Sequence, residues 1–149
     1  MRTNNTGAWT YFDSVAMLAV KSDAAPLDED FEQVTSDLAA QPQLMAIVVR
    51  PRGSPPGARQ RASMQELISK RSLRMAVLTD SKVLRGVCTA LRWFGLPVES
   101  FCDANLEDAL RFAGIRADRL SLARQCFEEL LGHVEAEGSR ERSRANLAR

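Results

Sequence analysis

Ser54 sits in RPRGSPPGARQRAS, residues 50–63, with Arg50, Arg52, Arg59 and Arg61 around it. A hydroxyl among guanidinium groups suits phosphorylation, which would place about −1.5 to −2 charge beside cations able to pair with it. A plainer use is open at the same position, because a serine before Pro55 can start a helix. Ser63 follows Arg59 and Arg61 and faces the same choice. There Ser63-x-x-Glu66 spells a capping box, in which the two side chains take up free N–H groups at a helix start. The stretch does not cradle a nucleotide: GSPPG lacks the GxxxxGK[ST] pattern, and its prolines remove the N–H donors a phosphate loop needs. GxGxxG is absent too.

Arg50, Arg52, Arg59 and Arg61 continue into Lys70, Arg71 and Arg74, with only Glu66 opposing them. Such a cluster is a candidate partner-binding surface for an acidic protein or a phosphate group. The alternative is a solvated face with weak, scattered salt bridges. No aromatic residue interleaves the cluster to stack bases, and the net charge is only +1, so nucleic acid is not expected. The segment before it has the opposite sign: Asp23, Asp28, Glu29, Asp30, Glu32 and Asp37. Acids at a helix start have a local explanation in the helix dipole. The two patches could also steer association between copies, so a homodimer is open.

No catalytic residue is assigned. His133 is the only histidine, late in an amphipathic segment, and reads as a surface residue near a helix C-terminus. Cys88, Cys102 and Cys126 are odd in number and form no CxxC pair, so they read as reduced, mostly buried thiols. No metal set or cofactor motif is visible, and neither is expected. Trp93, beside Phe94 at the end of an apolar helix, is either core or a partner anchor, since tryptophan is enriched in binding hot spots.

The elements that must position these residues follow from apolar spacing. Trp9–Phe12 and Val15–Val20 read as strands joined by an Asp13-Ser14 turn. Leu27, Phe31, Val34 and Leu38 lie at i, i+4, i+7 and i+11, one stripe of a helix. LMAIVV and RMAVLTD are apolar runs of strand length, the pattern of strands buried on both faces. SMQELISK is helical. SKVLRGVCTALRWFG is a helix with Val83, Val87, Ala90, Leu91 and Phe94 inward and Leu84 and Cys88 widening that face. Asp80 or Ser81 can cap it, and Gly95 can end it. VESFC is a short strand, and NLEDALRFAGI a short helix capped by Asn105. DRLSLARQCFEELLGHVEAE is a last helix, with Leu120, Ala123, Phe127, Leu130, Leu131 and Val134 inward. The order β-β-α-β-α-β-α-β-α-α predicts a mostly parallel α/β sheet with an opening antiparallel hairpin.

This order resembles the SpoIIAA-like branch of the STAS fold, and within it the small bacterial STAS/SEC14-type proteins of unassigned activity. The likeness rests on WTYFDSVAMLAV, LDEDFEQV, MAIVVRPRGSPPGARQRASMQELI, and RMAVLTDSKVLRGVCTALRWFG followed by VESFCDANLEDAL; it covers roughly residues 8 to 132. It implies a non-enzymatic domain that binds protein partners. It also implies a regulatory serine at the start of the helix after the third strand, where this chain has Ser54 in place of the family's Asp-Ser pair. The start of RMAVLTDSKVLRGV also scans like a receiver domain, but the acids such a domain clusters are missing.

The expectation is therefore a single STAS-like domain over residues 8–137, with a flexible segment at 1–7 and a flexible charged tail at 138–149. Its first functional reading is a regulatory or adaptor domain that binds a protein. The second is a small-ligand domain for a nucleotide or lipid at the carboxyl edge of the sheet. MRTNNTGAWTYF has no apolar leader core, and no run approaches the ~20 residues of a membrane span, so a cytoplasmic location is expected.

Overall fold

The fold was described in a computed structural model, which describes residues 1–21, 23–53 and 55–149. Six strands make one sheet in sequence order: β1 (Arg2–Thr3), β2 (Gly7–Phe12), β3 (Val15–Val20), β4 (Ala46–Arg50), β5 (Arg74–Leu78) and β6 (Val98–Phe101). β1, β2 and β3 run antiparallel; β3 through β6 run parallel. Three helices make the parallel crossovers: α1 (Asp28–Ala39), α2 (Ala58–Arg71) and α3 (Lys82–Trp93). Two more follow the sheet: α4 (Leu106–Phe112) and α5 (Leu120–Leu147). This is the STAS-like arrangement expected: a mixed, mostly parallel sheet with an antiparallel opening, covered by helices, with an added C-terminal helix.

Strand alternation divides the core into two layers. Ala16, Ile47, Val77 and Val98 point toward α1, α2 and α3, where Leu38, Leu67, Ile68 and Cys88 meet them. Val15, Met17, Val48 and Leu78 point the other way, onto Leu110 of α4 and Phe127, Leu130 and Val134 of α5. Ala8, Ala19, Ala46 and Ala76 share that second face. Their small side chains leave room for α5 to lie close and seat Phe127, which is fully buried. The stripe expected on α5 is the one that packs, with Leu131 partly buried at its border.

The antiparallel edge is pinned by one carboxylate. Asp37 of α1 accepts a 2.7 Å hydrogen bond from the Trp9 indole and a 2.6 Å bond from the Tyr11 hydroxyl, and pairs with Arg2. Trp9 is buried, so its N–H requires an acceptor. At the far end of β3, the Lys21 ammonium is buried. It donates to the Asn4 carbonyl at 2.5 Å and pairs with Glu137 of α5 at 2.6 Å.

Several expectations are corrected. Residues 1–7, placed outside the domain, contribute β1, and Asn4 closes the turn after it by accepting from Thr6 and Gly7. The tail 138–149 is helical through Leu147, although it is largely exposed. Ser63 lies inside α2 and does not cap it. The helix starts at Ala58, after Gly57, whose N–H is taken up by the Gln60 side chain at 3.3 Å. Residues 58–61 are favourable for a helix once the prolines end, so nothing delays the start to Ser63. His133 stands mid-helix in α5, 3.5 Å from Glu137, because the helix runs past the expected end. The inward face of α3 is also rotated from the one read in the sequence, with Val83, Ala90 and Phe94 left exposed.

Candidate functional site

Three places on the fold could do something, and they share the α1–α3 side. The first is the connection from β4 to α2. Ser54, the candidate phosphorylation site, lies outside the described residues. Its arginine neighbours are mostly tied to the fold. Arg50 pairs with Glu135 at 3.3 Å, Arg52 lies 3.7 Å from Asp23, and Arg59 lies 3.7 Å from Glu32. Arg71 caps the end of α1, donating to the carbonyls of Leu38, Ala39 and Gln41. Arg61 differs: its guanidinium donates only to the Pro56 carbonyl at 3.1 Å, and it has no carboxylate partner among the described residues. The connection is held close to the loop before α1. Gly53 has φ +55°, and a Cβ there would come within 2.5 Å of the Asp23 backbone. Only glycine satisfies both conditions.

The second place is the outer arc of α3. Ser81 caps the helix through its hydroxyl, and Gly95 ends it with φ +82°. Both agree with the sequence reading. At 3.6 residues per turn, apolar residues cover roughly half of the helix circumference, from Leu84 round to Trp93. The sheet takes only part of that arc: Leu84 and Cys88 are buried and Leu91 partly so. The remainder faces solvent, with Val83 70 % exposed and Trp93 and Phe94 each 84 % exposed. Trp93 is thus not core, and Phe94, expected inward, joins it on the surface. The adjoining polar arc carries Lys82, Arg85 and Arg92, and no carboxylate lies in Lys82–Trp93.

The third place is a cavity of about 180 Å³ between the sheet and the α1–α3 layer. Its floor includes Leu18, Val49, Met75 and Val77; its walls include Met64 and Ile68 of α2 and Leu84, Cys88 and Leu91 of α3. α2 packs along α1 but not closely along α3, which leaves the space between them. Near the carboxyl end of β4 the lining changes to Pro51, Arg52, Pro55, Pro56 and Arg61. Asp30 also lines it, its carboxylate accepting from Thr6 at 2.8 Å. The sequence reading named Arg52 and Arg61 but missed the apolar lining, which comes from eight separate elements. Burial pushes the Cys88 thiol up from its ordinary value. Cys126 is raised too, by burial first and then by Glu129.

The three cysteines are free. Among the described residues no group of three or more His, Cys, Asp or Glu side chains could hold a metal ion, and no helix is long and apolar enough to cross a membrane.

No family model matches this chain, and no curated protein matches it. Among solved structures, two of Pseudomonas aeruginosa DspI align with 52% of the chain at a TM-score of 0.34, with 12% and 11% identity. The aligned regions span 42% and 39% of those chains, less than half their length. A likeness at this level bears on neither activity nor partners.

Proposed function

We propose that this chain is a non-enzymatic adaptor domain that binds a protein partner through the outer arc of α3. The observation that carries the reading is the exposure of Trp93 and Phe94 together, on a helix whose other apolar half is already packed. An apolar arc of this kind is ordinarily covered. The partner commits to a chemistry. Lys82 and Arg92 flank the arc with no acid on the helix, while Arg85 is turned to the Thr79 carbonyl and Cys102, so the complementary surface is apolar at its centre and acidic at its edge. A symmetric contact between two copies of α3 would bring those cations together, which disfavours self-pairing there.

Arg52, Arg59 and Arg61 belong to this reading as a secondary surface beside the β4–α2 connection, with Arg50 at its border where it pairs with Glu135 of α5, and Ser54 as its regulatory position. Phosphate at Ser54 would pair with arginines now engaged elsewhere or with Arg61, and so reshape the β4–α2 connection.

A photo-crosslinking residue at Ala90, introduced in the native cell, tests the docking surface. The expected result is one discrete adduct whose crosslinked peptide is rich in acidic and apolar residues, lost in Phe94→Ser and weakened by salt. Adducts formed only between copies of this chain, or a yield indifferent to Phe94→Ser, would overturn the reading. For the regulatory position, Ser54→Asp changes partner binding and Ser63→Asp does not; equal binding by all three forms removes phosphorylation from the proposal.

A further inference from the structure

We infer that the cavity between the sheet and α1–α3 is a binding site for a single aliphatic chain ending in an anion, with Arg61 and Arg52 receiving the anionic end. This does not depend on the docking surface of α3, because the cavity lies on the inner side of that helix.

The size is right for a short chain and wrong for a nucleotide. A cavity of about 150 Å³ lined by apolar side chains is enough to stay dry and take up benzene. Here the space is about 180 Å³, with Leu18, Val49, Met64, Ile68, Val77 and Leu91 among its lining. At about 30 Å³ for each water-sized unit, that is roughly six units of length. Of the polar groups in the lining, Asn4 and Thr6 are both bonded to Asp30, so they are already engaged with one another and not set to read a base or a sugar. Two flexible methionines, Met64 and Met75, line it, and such side chains adapt to an unbranched occupant.

Charge sets the direction of the occupant. Two guanidinium groups and one carboxylate line the cavity: Arg52, Arg61 and Asp30. The carboxylate is engaged by Thr6. Arg52 has Asp23 at 3.7 Å, whereas Arg61 has no carboxylate among the described residues. An anion beside Arg61 therefore displaces only a carbonyl contact among the described residues. The prolines around it, Pro51, Pro55 and Pro56, carry no N–H and present an apolar collar with the cations outside. A tail inward and an anion outward fit that layout.

Cys88 reports occupancy from within, since it lines the cavity and is free. The experiment measures alkylation rates of Cys88 and Cys126 in the full chain with added octanoate, octyl phosphate or 1-octanol. At ten times its dissociation constant, octanoate should slow Cys88 labelling about tenfold while leaving Cys126 unchanged. Each methylene from hexanoate to octanoate should tighten binding about fourfold. Arg61→Gln should reduce the affinity for octanoate to that for octanol, and Met64→Trp, which fills the space, should abolish protection by every probe. Tighter protection by octyl phosphate than by octanoate assigns the head as phosphoryl, and the reverse assigns it as carboxylate. Cys88 labelling that octanoate and octyl phosphate leave unchanged overturns the inference, as does protection by octanol equal to that by both anions. If Met64→Trp does not fold, the Cys88 rates and Arg61→Gln still decide.

Discussion

The Lys21 ammonium lies 2.6 Å from the Glu137 carboxylate, joining the end of β3 to α5 across the domain. Lys21 is almost wholly buried, and Glu137 is partly exposed. The hydrogen bond and charge of Lys21 hold the Glu137 carboxyl below its ordinary value. Because the folded value is the lower one, the stabilisation is present in full above about pH 4.5, the ordinary value, and is lost as pH falls through the lowered one. Glu137→Gln should cost about 1–2 kcal/mol at neutral pH. Urea unfolding of both forms from pH 7 to pH 3 checks this: the gap between them should close toward acid.

The exposed end of α3 should be expendable for stability. Trp93→Ser with Phe94→Ser should change unfolding free energy by no more than about 0.5 kcal/mol, as for surface substitutions elsewhere. Phe127→Ala, which empties a fully buried site, should cost about 3–5 kcal/mol. Chemical denaturation of the two variants side by side makes the comparison. A large loss from the first pair would show that the end of α3 is packed and not open.

Cys88 should be the last thiol to react with a water-soluble disulfide reagent at pH 8. It is buried, and burial raises its thiol, so little thiolate is present and little is reachable. Intact-mass analysis over time should show two modifications before the third, with the third accelerated by denaturant.

Asp37→Ala should cost about 1–3 kcal/mol, because it leaves the buried Trp9 N–H without its acceptor. The blue-shifted fluorescence of Trp9 is the natural readout during urea unfolding, best followed in a Trp93→Phe background so that only Trp9 emits.

The strands were legible because their apolar runs are short and bounded. LMAIVV and RMAVLTD could hardly be anything else beside proline, glycine and charge. The stripe of α5 was legible because its outer side is densely charged, leaving one answer. α3 was not: Val83, Leu84, Val87, Cys88, Ala90, Leu91 and Phe94 cover too wide an arc for periodicity to choose which edge meets the sheet. The partners of the arginine cluster were hidden for a different reason. Local sequence shows only Glu66 against it, whereas the acids that meet Arg50, Arg52 and Arg59 are Glu135, Asp23 and Glu32, remote in the chain. The cavity had no signal at all, since a gap between α2 and α3 is a property of packing and not of any segment.

Asp37 also bears on how the chain avoids error. Trp9 and Tyr11 reach it because they occupy alternate positions on β2. A slip of that strand by one residue would turn both rings to the other face and present Ala8 and Thr10 in their place. The carboxylate would then keep Arg2 at best and lose both neutral donors in a nearly closed site. One acid on a helix thus discriminates between the native alignment of the β2–β3 hairpin and its neighbours, at the end of the sheet where only the two-residue β1 lies beyond β2.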